Sequence, residues 1–274
     1  MKYRSVFNSA LLCLFCLLAA CAPKETTLVI LHTNDTHSQI EPIAPGKRDG
    51  NHAGYARRMG LIEQERSAHP DLLLLDAGDF SQGTPYFNFY HGRIEVEAMN
   101  RMGYDAITLG NHEFDYGVDT LAAVLKDASF AVVSSNYDVR GTALEGIVKP
   151  YHILTRAGVR IGILGIGIHP EGLISTKNFA SIRYLEPIAA AQMVATELKT
   201  THHCDLVICL SHQGTHVDET LAKQTNHIDV IIGGHTHKVV ENLYVENLDG
   251  KPVLLAQMGK SGARIGKITL KMGK

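Results

Sequence analysis

The run Ala106-Ile107-Thr108-Leu109 leads directly into Gly110-Asn111-His112-Glu113-Phe114-Asp115. A short run of apolar and β-branched residues, too brief for a helix, reads as a buried strand. The six residues after it carry an amide, an imidazole and two carboxylates, and the intervening glycine permits a tight turn. The same join recurs along the chain. Leu28–Leu31 runs into His32-Thr33-Asn34-Asp35-Thr36-His37, and Leu72–Leu75 into Asp76-Ala77-Gly78-Asp79. Leu206–Leu210 runs into Ser211-His212-Gln213-Gly214, and Val230–Ile232 into Gly233-Gly234-His235-Thr236-His237. Five apolar runs thus deliver Asp, Asn or His at their carboxyl ends, the edge at which α/β sheets bind ligands.

Outward from these joins, short apolar runs at Thr27–His32, Asp71–Leu75, Asp105–Leu109, Ala131–Ser134, Arg160–Ile166, Asp205–Leu210 and Asp229–Ile232 predict strands. Helical patterns fall between them at Gly54–Ala68, Arg93–Met102, Val118–Leu125 and Pro187–Thr201. That alternation predicts an α/β core. Tyr151–Ile166, with Ala157-Gly158 midway, and Val239–Gln257, turning at Asn247-Leu248-Asp249-Gly250, predict hairpins, so the sheets should be mixed. No repeat or Pro-rich linker follows Thr27, and one catalytic domain over 28–274 is the economical division. The 274 residues suffice for a sizeable core. Hydrophobic residues make up 45% and charged residues 20%, which excludes intrinsic disorder. A formal net charge of −2 argues against non-specific nucleic-acid binding.

The chain has fifteen histidines, and imidazole is the commonest metal ligand. The five joins together offer Asp35, Asp79, the Asn111 amide, and the imidazoles of His37, His212, His235 and His237. That is too many donors for one tetrahedral zinc and suits two metals sharing a ligand. Two metals about 3.5–4 Å apart can clamp the attacking and leaving oxygens of a phosphoryl transfer. Mixed nitrogen and oxygen donors favour Zn, Mn, Fe or Co over Ca.

The blocks Asn34-Asp35-Thr36-His37, Asp76-Ala77-Gly78-Asp79 with Gln82-Gly83-Thr84, Gly110–Asp115 and Gly233–His237 resemble the 5′-nucleotidase branch of the calcineurin-like metallophosphatases. The resemblance runs from about Thr27 to the C-terminus and implies a four-layer α/β/β/α sandwich with mixed sheets. It implies two divalent metals, one on Asp35, His37, Asp79 and His237, the other on Asp79, Asn111, His212 and His235. His112 and Asp115 match the family's catalytic dyad. The implied reaction is hydrolysis of nucleoside 5′-monophosphates or related esters by a metal-bound hydroxide. The same site would also serve 2′,3′-cyclic-nucleotide, nucleotide-sugar or sulfur-ester hydrolysis. Two-domain members add a C-terminal domain that binds the base and phosphate. The resemblance therefore implies either a separately encoded partner domain or a catalytic domain acting alone.

At the other end, Lys2 and Arg4, the apolar run Ala10–Ala20 and then Cys21 read as a bacterial lipoprotein signal over 1–20. This predicts lipidation of Cys21, export, and anchoring to a membrane with the domain on the periplasmic face or cell surface. Residues 21–27 would form a tether with an extended reach of about 20 Å. Cys204 and Cys209 lie five apart on one extended run, about 17 Å by strand rise, too far to bridge, and read as buried free thiols. Asp76 reads as stabilising its turn, and Glu113 as steadying a loop. His32 reads as structural, as do the nine histidines outside the blocks, with His216 the one among those nine placed to line a cleft. Phe80, Tyr86, Phe87, Phe89 and Tyr90 read as core or lid packing, and Arg57 and Arg58 as a solvated helix face.

Overall fold

Strand β1 (Thr26–Thr33) sends alternate side chains into two separate cores. Leu28 and Ile30 enter one, Val29 and Leu31 the other, and all four are buried. A strand with two apolar faces has to be covered on both sides, and the rest of the chain supplies the covers. The computed structural model describes residues 26–179 and 181–273. The signal expected at 1–20 and Cys21 lie outside the described residues. Among the described residues no helix is long and apolar enough to cross a membrane.

After β1 come α1 (Tyr55–Ala68), β2 (Leu73–Asp76), α2 (Pro85–Tyr90), α3 (Arg93–Met102) and β3 (Ala106–Thr108). A 3-10 turn (His112–Phe114), α4 (Val118–Leu125), β4 (Ala131–Val133), β5 (Tyr137–Asp138) and β6 (Val148–Lys149) follow. The chain continues through β7 (Tyr151–Arg156), β8 (Val159–Ile166), α5 (Thr176–Phe179), β9 (Arg183–Tyr184), α6 (Pro187–Thr200) and β10 (Leu206–Ser211). Helix α7 (Thr215–Gln224), β11 (Val230–Gly233), β12 (Val239–Glu246), β13 (Pro252–Met258) and β14 (Gly266–Met272) complete it.

One sheet has the order β14-β1-β2-β3-β4-β6, parallel except for β14. The other runs β12-β13-β11-β10-β8-β7, parallel inside with antiparallel strands at both edges. The two hairpins expected from the sequence supply those edges, as β7–β8 and β12–β13. The sheets face each other across a core that includes Leu28, Ile30, Ile161, Ile163, Ile208 and Ile232. On the far side of the first sheet, residues of α1, α3 and α4 pack against Val29, Leu31 and Leu74. Beyond the second sheet, α6 and α7 pack against Val207, Cys209 and Ile231. Three cores between four layers give the α/β/β/α sandwich. Cys204 and Cys209 are buried free thiols, as expected.

Local signals explain the helix ends. Glu186 accepts the Ile188 and Ala189 N–H groups at the start of α6, and Pro187 takes the first helical position. Helix α3 buries Val96, Met99 and Met102 and closes on Gly103 in the left-handed conformation. One expectation is overturned here. Arg57 is exposed, but Arg58 is buried, its guanidinium 4.8 Å from the centre of the Tyr55 ring. Tyr55, Arg58 and Ile62 form the inward stripe of α1, so helical phase overrides the charge. The aromatic stretch divides as well: Phe80 and Phe87 are core residues, whereas Phe89 and Tyr90 are exposed.

Candidate metal centre

Strands β1, β2 and β3 of one sheet and β10 and β11 of the other end at the same edge of the sandwich, and their following loops meet there. Asp35 and Asp79 are buried, and the histidines close on them. His237 Nε2 lies 3.4 Å from Asp35 Oδ1 and 3.0 Å from His37 Nε2. His212 Nε2 lies 3.1 Å from Asp79 Oδ2 and 3.9 Å from Asp35 Oδ1. Three groups have donor atoms close enough to share an ion: Asp35, His37 and His237; Asp35, Asp79 and His212; and His37, Asp79 and His112.

The first group falls within the first ligand set implied by the sequence. The second group joins the two sets through Asp35. His235 enters none of the three groups; its ring is 5.5 Å from that of His212, and its backbone N–H donates to both Asp35 carboxylate oxygens. Asn111 is buried, and its Oδ1 has no hydrogen-bond partner among the described residues. His112 Nδ1 and Asp115 Oδ2 are 3.0 Å apart, and the rings of His112 and His37 are 5.5 Å apart. His216 is exposed on the first turn of α7 and joins no group.

The loops are held by backbone pairing between them. The N–H groups of Asp35, His37 and Ser38 donate to the carbonyls of Gly78, Asp79 and Phe80. Glu113 accepts N–H bonds from Asp79, Ser81 and Gly110, so it ties the loop after β2 to the loop after β3. Asp76 accepts the Gly78 N–H and the Thr33 hydroxyl, the turn-stabilising role expected of it. Asn34 was missed as a positioning residue: it accepts the Met258 N–H and donates to the Gly259 carbonyl and the Asp35 carboxylate. Its only sequence signal is its place beside Asp35. A Cβ on Gly110 would lie 2.2 Å from Asp79 Oδ1, so this close approach requires glycine. Five of the seven candidate ligands are non-glycine residues in the left-handed region: Asp35, His37, Asp79, His235 and His237, with φ of 49°, 46°, 57°, 71° and 55°. Such backbone is uncommon outside glycine and clusters at functional sites.

Charge follows geometry. Burial disfavours the His212 cation, yet the neighbouring Asp79 carboxylate raises its pKa to about 10. Burial likewise opposes ionisation of Asp79, but His212, by charge and by hydrogen bond, holds that carboxyl well below the usual carboxylate range. Burial lowers His37 and His235. At His112 burial is outweighed by the Asp115 hydrogen bond and the Asp79 charge, and the pKa rises. Burial and then the Asp79 charge push the Glu113 carboxyl up to about 7.

The donor set fits divalent cations on the features of the site itself. Among the described residues, the ion pairs of Asp35 and Asp79 are all with histidines, so two buried carboxylates have no permanent cation beside them. Among the described residues, His37 Nδ1 and Asn111 Oδ1 are buried without hydrogen-bond partners. His212 Nδ1 donates to the Ala77 carbonyl at 2.7 Å, so Nε2, which faces Asp79, is the nitrogen that would offer a lone pair once a cation displaced its proton.

A two-sheet sandwich with a cluster of acids and histidines at one strand edge is the arrangement of a metallophosphatase-type fold. A family model for calcineurin-like phosphoesterases matches residues 28–239, and the chain belongs to that family. Bovine 5′-nucleotidase is 37% identical over 245 residues, covering 86% of this chain and 42% of the relative. The crystal structure of a 5′-nucleotidase precursor from Thermus thermophilus superposes with a TM-score of 0.80 at 34% identity, over 89% of this chain and 51% of that one. The calcineurin-like phosphoesterase YfkN from Bacillus subtilis superposes with a TM-score of 0.76 at 27% identity, over 91% and 86%. The chain spans less than half the length of the curated 5′-nucleotidases it matches. The family is one of phosphoesterases, and it implies divalent metal ions.

Proposed function

We propose that this protein hydrolyses phosphate monoesters, nucleoside 5′-monophosphates among them, with two divalent cations at the strand edge. The observation that carries this reading is the convergence of ligand-capable side chains from five strand ends onto two buried carboxylates whose ion pairs, among the described residues, are all with imidazoles. Asp35, His37, Asp79 and His237 would hold one cation, and Asp79, Asn111, His212 and His235 the other, with Asp79 bridging. Zn, Mn, Co and Fe suit this mixture of donors. Such a pair of ions polarises phosphoryl oxygens and lowers the pKa of a bound water towards neutrality.

The protein's own groups do the rest. His112 is held by Asp115 beside His37 and Asp79, and the Asp115 hydrogen bond and the Asp79 charge outweigh burial and raise its pKa, which favours its protonated form. It would stabilise charge on the phosphoryl oxygens or give its proton to the leaving oxygen as the P–O bond breaks and the water oxygen bonds to phosphorus. Glu113 and Asn34 hold the loops. The sequence before Thr26 supports export and a lipid anchor on Cys21, which Cys21→Ala would abolish, releasing the protein from membranes.

Phosphate release by residues 22–274 over a panel of nucleotides with Zn, Mn, Co and Mg tests the reading. Turnover of a 5′-monophosphate that is lost on chelation and restored by one of the metals is expected. His112→Ala should lower kcat by about 10²–10⁴, in the range typical of general acid–base groups, with the metals still bound. Full turnover by that variant would refute the role of His112. Negligible release by the chain alone would favour a metal-binding half that depends on a partner domain.

A further inference from the structure

The loops bearing Asp35 and His237 also wall a second cleft, of about 480 Å³, on the side of His237. One wall is the segment after β1, with Gln39, Ile43, Lys47, Arg48 and Asp49; the other is the turn from β13 to β14, with Lys260 and Arg264. Four cationic side chains and one carboxylate line it, a net +3 in a chain of formal charge −2. The carboxylate is already engaged, since Asp49 Oδ1 pairs with Arg264 at 3.2 Å. Lys47, Arg48 and Lys260 are exposed, and no ion pair engages them among the described residues.

The walls are braced by backbone bonds. Ser261 N–H donates to the Asp35 carbonyl at 2.7 Å and Gly259 N–H to the Lys238 carbonyl at 2.8 Å. Tyr55 N–H donates to Ile40, Ile43 N–H to His52, and Asn51 N–H to Ile43. The cations therefore project from loops pinned to the metal-ligand loops. His237 belongs to both places: it lines the cleft and lies beside Asp35 and His37.

Surface cations are ordinarily interspersed with acids. Cations of one sign gathered in a concave cleft instead focus potential on a small anion, and Arg and Lys side chains are the usual phosphate contacts. A cleft of this volume is in the range of small-molecule sites. We propose that it is a second anion subsite, holding a phosphate of the substrate other than the one hydrolysed. The favoured substrates are then small molecules with two phosphates, joined as an anhydride or carried on separate carbons. This rests on the reading of the adjacent centre as the hydrolytic site.

The test is the triple variant Lys47→Ala, Arg48→Ala, Lys260→Ala, in which only exposed side chains are removed. Its kinetics would be compared with the unmodified chain on p-nitrophenyl phosphate, a nucleoside 5′-monophosphate, a nucleoside 5′-diphosphate and a nucleoside 3′,5′-bisphosphate. KM should rise tenfold or more for the diphosphate, the bisphosphate or both, with kcat unchanged, while both constants for the two singly phosphorylated substrates stay within twofold. Whichever doubly phosphorylated substrate responds identifies the spacing that the cleft accepts. An equal rise for all four, or no rise for either doubly phosphorylated substrate, would overturn the subsite. If the unmodified chain releases no phosphate from any substrate, the hydrolytic reading fails by itself. Calorimetric binding of inorganic pyrophosphate then decides the subsite: a tenfold loss of affinity in the triple variant supports it, and equal affinity refutes it.

Discussion

The two sheets contribute different kinds of donor to the candidate centre. The first sheet delivers the oxygen donors Asp35, Asp79 and Asn111, together with His37, on the loops after β1, β2 and β3. The second delivers imidazoles alone, as His212, His235 and His237, on the loops after β10 and β11. Carboxylates thus sit on one side of the sandwich and imidazoles on the other. A cation between them would satisfy the first sheet's carboxylates by drawing on the second sheet's lone pairs. Two fully buried imidazoles show how far environment decides. The His32 ring near the end of β1 has no hydrogen-bond partner among the described residues, and burial lowers its pKa to about 4. His212 just after β10 faces Asp79 and is raised to about 10.

Loss of a carboxylate should have the largest effect. Asp79→Asn keeps the size of the side chain and removes the shared charge, so bound metal measured by atomic emission should fall and turnover should drop by at least about 10³, on the scale of lost electrostatic stabilisation. Full metal content and turnover in this variant would refute its bridging role. Removing an imidazole should cost less. His235→Ala removes one of four donors to one cation, so metal affinity should weaken by at least the roughly 10–100-fold typical of outer groups, with activity partly restored by excess metal. An effect as large as that of Asp79→Asn would show that the sheets contribute equally.

The smallest effect lies away from the reaction, at His32. Its folded pKa is depressed below the unfolded value of about 6.5, so the unfolded state binds the additional proton. Its contribution is present above pH 6.5 and lost as pH falls through the folded value of about 4. The loss is bounded at about 3 kcal/mol by the shift. His32→Leu should flatten this acid limb in denaturant melts between pH 7 and 4, and a variant melt with the same slope would remove His32 from the account.

Much of the fold and the site is legible in the sequence. The five donor-bearing joins stand out because an apolar run changes to Gly, Asp, Asn and His within a few residues, and parallel strands buried on both faces cannot disguise that change. Helices α1, α3, α4 and α6 are also legible, within a residue or two at their ends. Helix α7 is not, because Thr-His-Val-Asp-Glu-Thr-Leu-Ala-Lys-Gln is polar and buries Thr215 and Asp218. The two-residue strands β5, β6 and β9 are too short to leave a periodic signal. Arg58 misleads because charge suggests solvent, whereas its phase between Tyr55 and Ile62 turns it inward. The partition of the donors is least legible of all. That Asp35 lies within reach of both His237 and His212 depends on where two sheets meet, and spacing along one chain does not encode that distance.

The left-handed turns at Asp35, His37, Asp79, His235 and His237 have a consequence for engineering. At each of these positions the backbone would be most at ease with glycine, which has no ligand to offer. The chain instead keeps a donor-bearing residue there and forgoes on the order of 1 kcal/mol or more per turn. Selection for thermal robustness alone, applied to the metal-free protein, would therefore drift towards glycine at these five places, and the centre would be the first function such a selection discards.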